Sequence, residues 1–96
     1  MKTLTNLMGS HVTGDEIANA VLAYHEALVA RRSVGLVEIP VVGEERPARR
    51  ATVAVGWLTG LVAASGPKAS RRAERSVEDA ALASDLHALA LATLAL

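Results

Sequence analysis

The chain has 96 residues, ten basic and ten acidic side chains, and no cysteine. That length bounds it to a single domain. Its balanced charge gives no global field to draw in nucleic acid or an acidic membrane, and the lack of thiols excludes disulfides and Cys-based metal or redox sites.

Hydrophobic residues make up 51% of the sequence, enough for a globular fold, yet there is one Tyr, one Trp and no Phe. The core must therefore be built from Val, Leu, Ile and Ala, which bury little area each. A small chain with such a core is marginal by itself, and oligomerisation is a common remedy.

Residues 1–12 show no clear hydrophobic period and read as a loosely ordered N-terminus. Their apolar scatter is too short for the core of a signal peptide. Residues 13–64 read as a helix followed by a sheet. Thr13-Gly-Asp-Glu16 matches a capping box, with Val12 and Ile17 at the hydrophobic-staple positions. Asp15 and Glu16 suit the positive end of a helix dipole, and Arg31 and Arg32 the negative end. Ile17, Val21, Tyr24 and Leu28 form a stripe at helical spacing, suited to packing on the sheet. Gly35 is the expected stop.

The stretch from Val34 to Ala64 holds the dense β-branched cluster of the chain. Val37, Ile39 and Val41 alternate with Leu36, Glu38 and Pro40, the period of a half-buried strand. Pro40 cannot donate to a ladder, which puts this strand at a sheet edge or a bulge. Ala51, Val53, Val55 and Trp57 share one face of a second strand and Thr52 and Ala54 the other, as suits a central strand. Gly56 and Gly60 would each cost about 1 kcal/mol inside a helix. A turn across them and a third strand, Leu61–Ala64, avoid that cost. Gly43–Ala48 fits a hairpin loop, and the three strands form an antiparallel meander.

Residues 65–75 read as a polar linker. Ser76-Val-Glu-Asp79 is a second capping box, with Ser70 an alternative start, and it opens a helix over 76–96. Leu82, Leu86 and Leu89 form its stripe, but its end is apolar nearly all round. Such a helix is normally buried, here on the sheet beside the first helix or against another copy. The fold class is thus α+β: an N-terminal capped helix on a small three-stranded antiparallel sheet, followed by a C-terminal Ala/Leu-rich helix.

No stretch carries chemistry by itself. His11, His25 and His87 would have to converge, with Asp15, Glu26 or Asp85, to hold a metal, and no pair has the spacing of a helical zinc motif. Serines sit in caps and linkers, and the paired carboxylates fall at helix starts or a loop tip, where acids are at home. No catalytic, cofactor or metal residue is assigned. Arg49, Arg50, Arg71, Arg72 and Arg75 are phosphate contacts if gathered on one surface, but acids interleave with them and no aromatic platform stands beside them. The apolar run around Gly56 and Gly60 is too short to span a bilayer. The C-terminal helix could lie on a membrane surface, but its polar face lacks the Lys and Arg of interfacial helices.

These residues describe a small, non-enzymatic interaction or regulatory protein of the cytoplasm that self-associates. Two modes are open: helix pairing through Leu82, Leu86 and Leu89, or strand addition at Leu61 and Val62. The alternatives are a nucleic-acid-binding regulator using the Arg pairs, and a ligand-binding protein or minor enzyme with a pocket near Trp57 and Tyr24.

Overall fold

Alternation decides the middle of the chain. Val37, Ile39 and Val41 are buried, as are Val53 and Val55, while Leu36 and Glu38 face outward. The computed structural model describes residues 1–42, 49–66 and 71–96, apart from the side chain of Arg72. The order is β1 (Lys2–Asn6), β2 (Gly9–Thr13), α1 (Asp15–Ala30), β3 (Val34–Val41), β4 (Arg49–Gly56), β5 (Val62–Ser65), α2 (Arg71–Ser76) and α3 (Ala80–Leu94). The class is α+β, with an N-terminal helix, a three-stranded antiparallel sheet and a C-terminal helix.

The strands of that sheet are not those of a meander. β5 pairs with β1 rather than β4, giving, among the described residues, one sheet in the order β2-β1-β5 and a second of β3 and β4. β4 is therefore not a central strand. The missing strand came from residues 1–12, which form a hairpin instead of a loose terminus. Its turn is set locally: the Asn6 carbonyl oxygen Oδ1 accepts from the Met8 amide at 2.8 Å, an Asx turn, and Gly9 takes φ 142. Leu4 on β1 is fully buried and carries the hairpin into the core.

Pro40 explains how the two sheets meet. The register sets Pro40 opposite Arg50, and the Trp57 amide donates to the Ser33 carbonyl. Antiparallel alternation then turns the backbone groups of Pro40 away from β4, so its missing N–H costs the ladder nothing. Its carbonyl accepts instead from the Thr13 hydroxyl at 2.7 Å, in a buried bond. The Val42 amide donates to the Val12 carbonyl beside it. Thr13 is thus the last residue of β2 and not a cap. Gly14 holds the N-cap position of α1 with no side-chain bond, and Asp15 pairs with the N-terminal ammonium of Met1 at 3.2 Å.

Helix α1 is covered on two sides. Ile17, Val21 and Leu28 belong to the core with the strands, and Ala20 and Ala27 are buried toward α3. Helix α3 packs principally along α1, not on a sheet, with Ala83, Leu86 and Ala90 buried. Small residues on both helices let them approach closely. The two run in the same direction, since Arg31 at the C-terminus of α1 donates to the carbonyls of Thr93 and Leu94 at the end of α3.

The stops and starts are also specific. Helix α1 ends at Arg31, before Gly35. Ser33 N–H bonds to Leu28 O and Arg32 N–H to Val29 O, a Schellman motif with Arg32 at the left-handed position, φ 52. Gly35 serves packing: a Cβ there would stand 3.2 Å from Leu28 and 3.3 Å from the Tyr24 hydroxyl. Helix α3 starts later than Ser76, because Asp79 is its N-cap and accepts from the Leu82 amide at 2.9 Å. Part of the expected linker is helical, as α2, and Val77 after it is fully buried. The loop Gly43–Ala48 and the alternative start at Ser70 lie outside the described residues.

Candidate interaction surfaces

The outer side of α3 is the largest departure from an ordinary soluble helix. Its fifteen residues carry Asp85 as the one charged side chain. An apolar period cannot say which side of such a helix will be buried, and α1 decides it. Leu86 is 3% exposed and Leu82 packs against the core, whereas Leu89 is 48% and Leu91 71% exposed. The proposed pairing set therefore splits. Leu82 and Leu86 hold the monomer together, and Leu89 remains on the surface. Leu91 joins it on the other flank of exposed Ala88 and Ala92. The near-absence of polar residues after His87 is the signal that points to Leu91.

The second candidate surface is the edge of β5. It pairs with β1 on one side and with no strand on the other among the described residues. Gly66 N–H bonds to Met1 O, so alternation aims the backbone groups of Ala63 and Ser65 at the open side. No charge or proline blunts this edge, which natural edge strands commonly carry. Leu61 is buried and Val62 exposed, so of the two only Val62 is available to a partner.

The arginines fall on separate elements, with acids beside them. Arg49 and Arg50 begin β4, seven register pairs from Gly56, or about 23 Å at strand rise. Arg50 is bound to Glu38 at 2.8 Å. Arg71 and Arg75 lie on α2 with Glu74 and Glu78, around a shallow cavity of about 340 Å³. The side chain of Arg72 is outside the described residues. Arg31 and Arg32 sit at the far end of α1, away from β4's start.

The histidines are separated as well. His11 is on β2, His87 is exposed on α3, and His25 is buried on α1. Among the described residues no three His, Asp or Glu side chains are grouped as a metal ion requires. His25 is engaged structurally: its Nδ1 accepts a 2.8 Å hydrogen bond from the Gly56 amide. Burial pushes its pKa below the usual histidine value of 6.5, against the raising influence of Glu26.

Among the described residues, neither Trp57 nor Tyr24 lines the cavities named below or the one beside Arg71. Tyr24 lies under Gly35 against the core, and Trp57 is on the surface with the Arg32 guanidinium 5.6 Å from its ring centroid. Two cavities lie along α1 and α3. One of about 300 Å³ separates the N-termini of α1 and α3 and is rimmed by Asp15, Glu16, Glu74, Glu78 and Asp79. Another, of about 400 Å³, runs between α1 and α3 past Ala27, His87, Ala90 and Leu91. The acids at the first already serve helix N-termini.

Comparison with protein-family models, with curated proteins and with solved structures returns no match. Among the described residues, no helix is long and apolar enough to cross a membrane.

Proposed function

We propose that the chain is a small, non-enzymatic interaction protein of the cytoplasm, and that it self-associates through the outer side of α3. The observation that supports this most is the pair Leu89 and Leu91, exposed on a helix whose inner side α1 already fills. Burying what remains exposed of the two leucines gains roughly 2–4 kcal/mol at full coverage. That is a substantial addition to a core otherwise made of Val, Ile, Leu and Ala. Ala88 and Ala92 between them would let a second helix come close.

Solution mass by light scattering on a sizing column tests this. The wild-type chain should show a discrete species at twice the 10.0 kDa chain mass. Leu89→Glu and Leu91→Glu should each shift it toward monomer while helix content is unchanged. A wild-type monomer at all concentrations ends the self-association reading. A dimer that survives both substitutions moves the contact to the β5 edge, where Ala63→Pro, which removes an N–H on the open side, should then disrupt it.

A further inference from the structure

We propose that the end of the molecule where the β1–β2 and β4–β5 turns meet docks on the surface of an anionic lipid bilayer. Three large apolar side chains stand out into solvent there. Leu7 is 82%, Met8 85% and Leu58 77% exposed. Trp57 lies beside them, partly exposed, under the Arg32 guanidinium. None of the three belongs to the core cluster, so packing does not account for them.

The tips are built, not loose. The Leu7 amide donates to Thr59 O, joining the two turns. The Asn6 side chain holds the first turn from both ends: Oδ1 accepts from the Met8 amide, and Nδ2 donates to Ala54 O on β4 at 2.9 Å. The second turn is closed by the Thr59 amide and hydroxyl, both donating to Gly56 O. Leu58 is held there at φ 72, a backbone conformation natural to glycine and rare for leucine. A residue kept at such a position while its side chain points into water suggests function rather than folding.

Charge selects the occupant. Residues 6–11, 31–36 and 54–61, which build this end, contain Arg31 and Arg32 and no Asp or Glu. Asp15, Glu16, Glu74, Glu78 and Asp79 lie together at the opposite ends of α1 and α3. The chain is neutral as a whole, and the acids at that opposite end are met there by the Met1 ammonium, Arg71 and Arg75. Both helix C-termini face the basic end, and Arg31 covers the last carbonyls of α3, offsetting their partial negative charge. Apolar tips, a Trp and the Arg32 guanidinium beside it match the layers of an anionic interface: acyl boundary, headgroup level and phosphate.

The test uses the full chain and vesicles of phosphatidylcholine with or without about a third phosphatidylserine. The single Trp reports directly. Expected are co-sedimentation with the anionic vesicles, a blue shift of Trp57 emission, and loss of both with added salt. Leu58→Gly with Met8→Ser should weaken partitioning at least about tenfold, and Arg32→Gln roughly fivefold. Glycine suits φ 72, so Leu58→Gly should fold at least as stably as wild type. No partitioning at low salt overturns the proposal, and so does equal binding to vesicles without phosphatidylserine. Full binding by the double variant overturns the placement. A double variant that changes solution mass, with no vesicle binding by wild type, assigns the surface to contacts between copies. Leu89→Glu, which tests the α3 contact, lies outside this surface and should still bind vesicles.

Discussion

The Gly56 amide donates to Nδ1 of His25 across a buried 2.8 Å hydrogen bond. That bond fixes the imidazole as neutral, with its proton on Nε2, because a protonated Nδ1 would face another donor. It ties α1 to the end of β4, one residue before Trp57. Removing the acceptor would leave a buried N–H unpaired, which costs about 1–3 kcal/mol.

A pH dependence follows. Burial lowers the folded-state pKa of His25 below 6.5. The unfolded chain then binds a proton on this group more readily than the folded chain. The stabilisation is fully present above about pH 6.5 and is lost as pH falls through the folded-state pKa. Urea denaturation should show a lower midpoint at about pH 5 than at about pH 7.5. His25→Gln keeps an acceptor and should flatten that difference, and His25→Ala should be destabilised at both. An equally steep pH dependence in His25→Gln would show that another group carries it.

Gly56 is the other half of this latch and admits no substitution. It takes φ 104, and a Cβ would lie 2.3 Å from the Ser33 carbonyl oxygen and 3.0 Å from Leu28 Cβ. Backbone strain and clash together put Gly56→Ala at about 3 kcal/mol or more. Gly60→Ala meets only strain, since nothing lies within 4 Å of its Cβ position, and should cost about 1–2 kcal/mol. Thermal denaturation of the two variants side by side separates clash from strain.

Arg32 sets two effects of similar size against each other. Its left-handed backbone at φ 52 disfavours any residue with a Cβ by about 1–2 kcal/mol. Its guanidinium on the Trp57 ring returns about 0.5–1 kcal/mol at an exposed site. Arg32→Gly should therefore change stability little in the wild type and raise it by about 1 kcal/mol in a Trp57→Ala background. The double-mutant cycle isolates the ring contact. A coupling energy near zero would show the stacking to be incidental.

The residues that build the core were legible because their partners are close or their period is clean. Val37, Ile39 and Val41 alternate, and Ile17, Val21 and Leu28 recur at helical spacing; all six are buried. What was not legible depended on distant partners. Thr13 has the spacing of a cap, yet its hydroxyl serves a carbonyl 27 positions away. The β1–β2 hairpin alternates Thr, Ser and His with few apolar residues, so its period is weak until Leu4 is seen in the core. An arginine at a left-handed C′ position carries no sequence signal, and neither does the choice of β1 over β4 as the partner of β5. Leu7, Met8 and Leu58 could have been flagged, since large apolar residues at turns are uncommon.

The leucines of α3 give the sharpest separation between folding and association. Leu86 is enclosed by the core cluster, and Leu86→Ala should cost about 2–5 kcal/mol by transfer and cavity. Leu86→Glu would bury a carboxylate with no partner and should unfold the chain outright. Leu89 is about half exposed, and Leu89→Ala in a monomer should change stability by less than about 1 kcal/mol. If α3 pairs with a second copy, the same Leu89→Ala change costs more as protein concentration rises, because the contact it removes forms only in the dimer. Denaturation midpoints at two concentrations about a hundredfold apart read this directly. A midpoint that rises with concentration in wild type and stays flat in Leu89→Glu is the expected result. Flat midpoints in both would leave Leu89 as an exposed leucine and nothing more.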